Sequence, residues 1–298
     1  MGLRRVFVAN RGEIALRVVR AAQKLGIETV IGVSEADRDS AAAQLADRAV
    51  VLGPGPAAKS YLDAKLVVHA ARETGCDGLH PGYGFLSERS ILPRLCDAQG
   101  IAFVGPEADM IDALGDKLSA RAMARAAGVP LVPGSDQIAS AADAMKAADE
   151  IGYPVLLKAS AGGGGRGMVI AHNRDEVEAG FARASAEAES AFGDGTLFME
   201  RFVPRARHVE VQLMGDGTGK VLHFGERDCS VQRRYQKLIE EAPSAAMPQH
   251  LREQLHRAAV NLAASVQYRG AGTAEFLYDV DREEIYFIEV NARIQVEH

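Results

Sequence analysis

The sequence predicts a chain of mixed architecture, α/β at its N-terminus and α+β beyond it. Over about the first 115 residues, the short β-like runs VFVAN, TVIGV, RAVVLG and IAFVG alternate with helical stretches such as 14–25 and 63–73. This alternation is typical of a Rossmann-like parallel sheet covered by helices. From Arg205 onward strands dominate, with one amphipathic helix over about 249–266, which indicates an antiparallel β-rich unit.

A smaller unit is expected between these two parts. A helix over 117–127 is followed by the turn-rich linker GVPLVPG. The stretch 138–203 then reads as a helix, a strand, a glycine-rich loop, a second strand, a long polar helix and a third strand. Because this unit is small and follows a linker, we expect it to move as a lid. The predicted domains are therefore 1–115 and 116–298, with the lid inside the second.

Composition excludes several classes of function. A net charge of −6 and a pI near 5.8 argue against a nucleic-acid partner, which would require a basic face. The three cysteines are odd in number and lack C-x-x-C spacing, so neither a disulfide framework nor a zinc site is expected. No apolar run approaches the length of a signal-peptide core or a membrane span. We expect a cytoplasmic protein without a membrane partner.

The segment KASAGGGGRGM, from Lys158 to Met168, is suited to binding polyphosphate. Glycines let successive backbone N–H groups turn toward an anion, and Lys158 and Arg166 add positive charge. A dinucleotide-binding loop should open a helix, yet the β-forming run MVIAH follows, and a Walker A loop requires its lysine after the glycines. A protein-kinase loop would be accompanied by catalytic-loop motifs that this chain lacks. The interpretation is a glycine flap between two strands, and an ordinary flexible surface loop is the alternative.

Two carboxylates near the C-terminus predict a metal site. TAEFLYD and EIYFIEVN resemble paired strands around a turn centred on Arg282, which would place Glu275 directly opposite Glu289. Alternation puts Phe287, Glu289 and Asn291 on one face. Facing carboxylates repel unless a cation lies between them, and Mg²⁺ accepts such oxygen ligands together with substrate phosphates. In the alternative, a shifted register turns one glutamate toward solvent.

Further polar side chains are expected near this pair. The strand HVEVQLMG places His208, Glu210 and Gln212 on one face and apolar residues on the other. A charged segment over 226–243 follows, and Arg293 lies four residues beyond Glu289. A guanidinium there is suited to bidentate binding of an oxyanion.

Several motifs together carry a resemblance to a known family. ANRGEIALR, HPGYGFLSE, GDK, KASAGGGGRGM, ERDCSVQRR, QKLIEEAP, GAGTAEF and IEVNARIQVEH occur in this order along the whole chain and closely resemble the biotin carboxylase family. The resemblance implies an ATP-grasp fold, consisting of a small lid subdomain and an antiparallel β-rich subdomain, after a Rossmann-like domain.

The resemblance also implies the ligands of individual residues. The implied ATP-binding residues are Lys117, Lys158, Gly162, Gly163, Gly164, Gly165, Glu200, His208, Gln232, Lys237, Glu275 and Glu289. The implied ligands of Mg²⁺ or Mn²⁺ are Glu275, Glu289 and Asn291. The implied bicarbonate contacts are Lys237, Arg293, Gln295, Val296 and Glu297. Among these, Glu297 resembles the general base, with Arg293 and Lys237 as the other catalytic residues, and Tyr83 resembles a neighbour of the biotin ring.

The implied reaction is the first half-reaction of an acyl-CoA carboxylase. ATP phosphorylates bicarbonate to carboxyphosphate, which breaks down to CO₂ and a phosphate that deprotonates biotin, giving N-carboxybiotin. Positioning and charge neutralisation carry most of such a phosphoryl transfer. The implied partners are a biotin carboxyl carrier domain or protein and a carboxyltransferase subunit. Ala161 and Glu241 favour the acyl-CoA carboxylases over pyruvate carboxylase.

The chain departs from the family at its end. His298 directly follows the expected base, whereas the family continues with a C-terminal domain, so we expect a truncated chain that turns over biotin poorly and has a weakened homodimer. Two alternatives stay open: a nucleotide- and Mg²⁺-binding fragment or assembly module without catalysis, and another ATP-grasp carboxylate–amine ligase.

Overall fold

The computed structural model of the chain describes residues 2–160, 168–233 and 236–298. Within these ranges the strands form a five-stranded parallel sheet, a three-stranded antiparallel sheet and a five-stranded antiparallel sheet. The α/β and α+β architecture expected from the sequence is confirmed. No helix in the described part of the chain has both the length and the apolar character needed to span a bilayer.

The parallel sheet occupies the N-terminal part of the chain and has the strand order β3-β2-β1-β4-β5. Six of the seven residues of its second strand are buried, as expected for a strand covered on both faces by helices. Its strands are β1 (Arg5–Val8), β2 (Glu28–Ser34), β3 (Arg48–Gly53), β4 (Gly78–His80) and β5 (Ala102–Phe103). Its helices are α1 (Gly12–Lys24), α2 (Ala41–Leu45), α3 (Ala64–Glu73), α4 (Ile91–Ala98) and α5 (Ala108–Gly115).

The next part of the chain forms the small sheet, with the strand order β7-β6-β8. Its elements, after α6 (Lys117–Ala126), are α7 (Ala141–Ile151), β6 (Val155–Ala159), β7 (Met168–Ala171), α8 (Arg174–Phe192) and β8 (Leu197–Arg201). Ser140 and Asn173 cap α7 and α8 by accepting backbone N–H groups three residues on. Leu157, Val169 and Met199 belong to an apolar cluster that is separate from the main core. The predicted helices and strands of this unit are confirmed, and its movement as a lid stays a prediction.

The large antiparallel sheet has the strand order β11-β10-β9-β12-β13. Its elements are β9 (Ala206–Asp216), β10 (Val221–Arg233), β11 (Gln236–Glu241), α9 (Gln249–Ser265), β12 (Arg269–Asp279) and β13 (Glu284–Asn291). The alternation predicted for β9 is confirmed, because Val209 and Val211 are fully buried in the main core. That core also contains Phe7 and Leu79 from the parallel sheet and Leu255 from α9. The parallel sheet and the large antiparallel sheet therefore share one hydrophobic interior.

Glu275 lies directly opposite Glu289 across β12 and β13, as predicted. The reason differs from the expected one. Near the turn, Asp279 pairs with Glu284, and an unbroken ladder from there would place Ile288 opposite Glu275. A bulge at Ile288 shifts the register by one residue and restores the pairing of the two glutamates.

The same bulge makes the predicted placement of Phe287 wrong. Phe287 pairs with Phe276, and the two buried rings meet edge to face with their centroids 6.0 Å apart. Glu289 pairs with Glu275 on the opposite face. Asn291 lies on that same face, because it pairs with Thr273, two residues before Glu275. The extra residue interrupts the period of two, so the aromatic ring packs in the core while the polar groups face the site.

Candidate active site

Three glutamates form a row across the middle of the large sheet. Glu275 on β12 pairs with Glu289 on one side and with Glu210 on β9 on the other. Glu210 is fully buried and Glu275 nearly so. Carboxylates at adjacent cross-strand positions repel each other, so cations must compensate them. The sequence predicted two members of this row. Glu210 was placed on the polar face of β9 but was not identified as a site residue.

Lys237 and Arg227 supply positive charge beside this row. The Nζ of Lys237 donates to both Glu210 and Glu275, at 2.9 Å from Glu275 Oε1, and lies 3.8 Å from the carboxylate of Glu297. Burial alone would lower the pKa of Lys237, but the charges of Glu275 and Glu210 raise it well above its ordinary value. The lysine therefore stays charged.

Arg227 was not singled out from the sequence. Its Nε donates to Glu210 Oε1 at 2.5 Å, and its terminal nitrogens donate to Gln212 Oε1 at 3.1 Å and Gln295 Oε1 at 3.2 Å. The guanidinium thus links the row of glutamates to an expected bicarbonate contact. Only its position in the alternating strand β10, opposite Glu210, could have indicated this role.

His208 and Gln232 form a chain of hydrogen bonds that ends on Glu275. Gln232 Nε2 lies 2.8 Å from His208 Nδ1, and His208 Nε2 lies 2.7 Å from Glu275 Oε2. An amide nitrogen can only donate, which assigns the acceptor role to Nδ1 and the proton to Nε2. Asn291 Nδ2 donates to the other oxygen of Glu275 at 2.7 Å. The sequence-predicted residues His208, Gln232, Glu275 and Asn291 are thus brought together.

The two facing carboxyl groups differ in pKa. Burial would raise the pKa of Glu275, but the hydrogen bond from His208, together with the charge and hydrogen bond of Lys237, lowers it to about 2. Burial and the charge of Glu275 raise the pKa of Glu289, against the opposing charges of Lys117 and Lys158. Glu289 is thus the carboxyl group of this row whose negative charge is compensated less than that of Glu275. A donor set of carboxylate and amide oxygens beside such an excess fits Mg²⁺ or Mn²⁺.

Lys117 and Lys158 converge on the same region from two other elements. Lys117 begins α6, whose first turn is capped by Asp116 accepting from Ser119 N at 2.7 Å. Burial lowers the pKa of Lys117, and the charge of Glu289 opposes this. Lys158 Nζ on β6 donates to Glu200 Oε2 at 2.8 Å.

Glu200 has a second cationic partner that the sequence did not indicate. Arg121 on α6 donates from Nη1 to Glu200 Oε1, and the exposed fractions of the two side chains are 7% and 6%.

The predicted flap residues Gly162, Gly163, Gly164 and Gly165 lie outside the described residues. The strands on either side are confirmed: β6 and β7 are antiparallel neighbours, and Lys158 pairs with Met168.

Arg293 lies at the edge of this cluster. Its Nη2 donates to Asn291 Oδ1 at 3.1 Å and its Nε to Glu88 Oε2 at 3.0 Å. The arginine therefore bridges the expected metal ligands and the loop that follows β4. Arg293 also lines a cavity of about 230 Å³ with His80 and Ser87.

Tyr83 shares a second cavity, of about 450 Å³, with Gln295, Val296 and Glu297. Val296 is two-thirds exposed. The structure thus brings the expected biotin neighbour together with three of the expected bicarbonate contacts.

Asn10 fixes the loop that carries Tyr83. Its Nδ2 donates to Pro81 O at 2.7 Å and to Tyr83 O at 2.8 Å. Gly82 has φ +65° between these two carbonyls, and a Cβ there would lie 2.8 Å from Asn10 Nδ2. Only glycine fits this turn without strain.

Comparison with known proteins agrees with this geometry. Residues 2–111 match the family model described as biotin carboxylase, N-terminal domain, and residues 116–298 match the carbamoyl-phosphate synthase L chain, ATP binding domain. The chain is 48% identical to biotin carboxylase 1 of Bacillus subtilis (strain 168) and 50% identical to the mitochondrial methylcrotonoyl-CoA carboxylase subunit alpha of Glycine max. Each alignment covers 99% of this chain, and 66% and 41% of the respective relatives.

A solved structure shows the same fold. The biotin carboxylase domain dimer of Hydrogenobacter thermophilus 2-oxoglutarate carboxylase, in complex with MgADP, ADP and bicarbonate, superposes with a TM-score of 0.93 at 46% identity. The match covers all of this chain and 66% of that one.

The parallel N-terminal domain and the site built on the large antiparallel sheet define an ATP-grasp protein. More specifically, the chain belongs to the biotin carboxylase family. It spans 41% to 66% of the length of the two relatives described above.

Proposed function

We propose that this chain provides the ATP, metal and bicarbonate sites of a biotin carboxylase, which carboxylates biotin with bicarbonate at the expense of ATP. The observation that carries the proposal is the row Glu210, Glu275 and Glu289, bordered by Lys237 and faced by Lys117. Carboxylates beside half-buried lysines are suited to a polyphosphate and its divalent cation, because the phosphates need positive charge and the cation needs carboxylate oxygens within a few ångströms.

The nucleotide site is proposed to contain the two lysines of the phosphate region together with the polar residues of the sheet. Its members are Lys117, Lys158, Glu200, His208, Gln232, Lys237, Glu275 and Glu289, and residues 162–165 are proposed to close over the phosphates. Mg²⁺ or Mn²⁺ would be held by Glu275, Glu289 and Asn291, and it would neutralise charge on the transferred phosphoryl group. His208 orients the carboxylate of Glu275 through its hydrogen bond.

Bicarbonate is proposed to bind between Lys237, Arg293, Gln295 and Val296, with Glu297 as the base. Glu297 takes the proton of bicarbonate while the bicarbonate oxygen attacks the γ-phosphorus and the bond from that phosphorus to ADP breaks, which gives carboxyphosphate and ADP. The position of Lys237 supports this arrangement, because its ammonium group reaches Glu275 at 2.9 Å and Glu297 at 3.8 Å.

Biotin on a carrier protein or domain is the proposed acceptor, with Tyr83 beside its ring. The cavity shared by Tyr83 and Glu297 supports this assignment. The second proposed partner is the carboxyltransferase subunit of an acyl-CoA carboxylase. The proposed location of the chain is the cytoplasm. The 50% identity to a methylcrotonoyl-CoA carboxylase subunit alpha supports an acyl-CoA carboxylase. The biotin carboxylase domain of Hydrogenobacter thermophilus 2-oxoglutarate carboxylase forms a dimer, which supports a homodimer for this chain.

The experiment measures ADP formation from MgATP by the purified chain with and without bicarbonate. We expect bicarbonate to increase ADP formation, and the Glu297→Gln variant to lose this dependence while it still binds MgATP in calorimetry. Glu253→Gln, on the exposed face of α9, serves as the matched control.

Two outcomes would contradict the proposal. Stabilisation by MgATP without ADP formation under any condition would assign the chain to nucleotide binding without catalysis. Equal ADP formation with and without bicarbonate would exclude bicarbonate as the phosphoryl acceptor.

A further inference from the structure

Arg121 is a buried arginine that contacts a residue of the proposed nucleotide site. It lies on α6, one turn after Lys117, and its side chain is 7% exposed. Its guanidinium donates to Glu200, which is also the carboxylate that Lys158 contacts at 2.8 Å. The Nη1 group of Arg121 is therefore already engaged by a buried carboxylate.

The charged groups of Arg121 and Lys158 lie over one face of β8. Phe198 and Glu200 are two residues apart on that strand and so project from the same side. The guanidinium carbon of Arg121 lies 5.2 Å from the centre of the Phe198 ring, and Lys158 Nζ lies 5.4 Å from it. Two cations therefore contact one ring and one carboxylate, which fixes both of them in place.

Arg121, Lys158 and Glu200 together form a group with net positive charge. Glu200 carries one negative charge, and Arg121 and Lys158 carry one positive charge each, so the group has an excess of one positive charge. If Glu200 had only Lys158 as a partner, the pair would be neutral, and an approaching phosphate would have to compete with the buried carboxylate for the ammonium group. Since Arg121 takes the other carboxylate oxygen, part of the lysine charge stays available.

We infer that Arg121 is a positioning residue for Lys158, which by satisfying Glu200 keeps the ammonium group of Lys158 available to the phosphates of a nucleotide. This inference rests on the proposed function, because it takes Lys158 to be a phosphate contact. Arg121 itself does not touch the nucleotide.

The test compares the affinities of Arg121→Met and the wild type for MgATP and for adenosine by calorimetry. Methionine removes the charge and keeps an unbranched side chain next to Phe198. We expect MgATP to bind about tenfold more weakly to the variant, equivalent to about 1.4 kcal/mol, and adenosine to bind equally to both proteins, because the defect concerns phosphate alone. Arg121→Lys should recover most of the MgATP affinity.

The matched control is Arg125→Met, four residues later on the same helix. Arg125 is exposed and lies 3.6 Å from the exposed Asp136, so this variant should bind MgATP like the wild type. A second comparison, Glu200→Gln against the double variant with Arg121→Met, remains informative if the single variant folds poorly, because the double variant leaves no buried carboxylate without a partner. With Glu200 neutral, the loss of Arg121 should have little effect on MgATP affinity.

The results separate this inference from the proposed function. If the wild type binds MgATP and Arg121→Met binds it equally well, or if adenosine affinity falls as much as MgATP affinity, the positioning role is overturned and the proposed function stands. An undiminished effect of Arg121→Met in the Glu200→Gln background would also overturn it. If the wild type does not bind MgATP, the nucleotide site and the role of Arg121 both fall.

Discussion

Lys237 contacts carboxylates from three different strands or segments of the site. Glu210 comes from β9, Glu275 from β12 and Glu297 from the segment after β13, whereas the lysine itself lies on the edge strand β11. Lys237 compensates buried negative charge, and under the proposed function it also contacts bicarbonate. Its removal should therefore affect binding and turnover together.

The Lys237→Ala variant should lose bicarbonate-dependent ADP formation by a factor of about 100 or more, because it removes a cation from a site that must neutralise developing charge. Steady-state kinetics with MgATP and bicarbonate measures the effect. Lys65→Ala, exposed on α3, is the control. Activity within a factor of two of the wild type would exclude a catalytic role for Lys237.

The surroundings of another single residue, Glu226, lead us to expect that stability depends on pH. Glu226 is buried and accepts from Arg252 Nε and His256 Nε2, each at 2.7 Å. Burial would raise its pKa, but these two hydrogen bonds lower it below the usual glutamate value. A carboxyl group whose pKa is lower in the folded state contributes stability that is complete above its unfolded pKa of about 4.3 and is lost as the pH falls through the lower folded value.

We expect the free energy of unfolding to decrease below about pH 4.5 with a steeper slope in the wild type than in Glu226→Gln. At pH 7 that variant should be destabilised by about 2 kcal/mol, since it loses hydrogen bonds to a charged acceptor. Urea denaturation at several pH values gives both quantities, with the exposed Glu253→Gln as the control. Identical slopes in the two proteins would show that Glu226 has an unperturbed pKa.

At the scale of elements, the sequence could predict what depends on local pattern. The structure produces the pairing of Glu275 with Glu289 through the bulge at Ile288, although we expected that pairing from a turn centred on Arg282. The alternation along β9 follows from a period of two and was expected. The bulge at Ile288 was not, since nothing in the local sequence marks an extra residue. Arg227 and Arg121 were missed for a related reason: their carboxylate partners lie 17 and 79 residues away along the chain, and only the assembled sheets bring them together.

The small sheet has an apolar cluster of its own, which leads to a prediction for β6 and β8. A unit with a separate core can open locally without disrupting the rest of the molecule. In hydrogen–deuterium exchange, the amides of β6 and β8 should exchange faster than those of β9 and β12, and MgATP should slow them selectively. Equal protection of both sheets with and without MgATP would contradict an independently moving lid.

For the whole molecule, burial predicts the reactivity of the thiols. Cys76, Cys96 and Cys229 are all buried, and burial raises the pKa of each thiol, to about 12 for Cys96. Since the thiolate is the reacting species, none should react in the folded protein. A thiol-specific chromogenic reagent should detect no cysteine within minutes in native buffer and three in denaturant. A fast-reacting thiol in the native protein would show that the region around that cysteine opens to solvent.

The common interior of the parallel sheet and the large antiparallel sheet has one further consequence. Leu86, in the loop with Tyr83, and Ala292, beside Arg293, both belong to this interior, so we expect the two segments to keep their positions relative to each other. If the small sheet alone moves, the proposed bicarbonate and biotin sites are complete before closure, whereas the proposed nucleotide site gains its last contacts only on closure. Under the proposed function, nucleotide binding would then be the event coupled to closure.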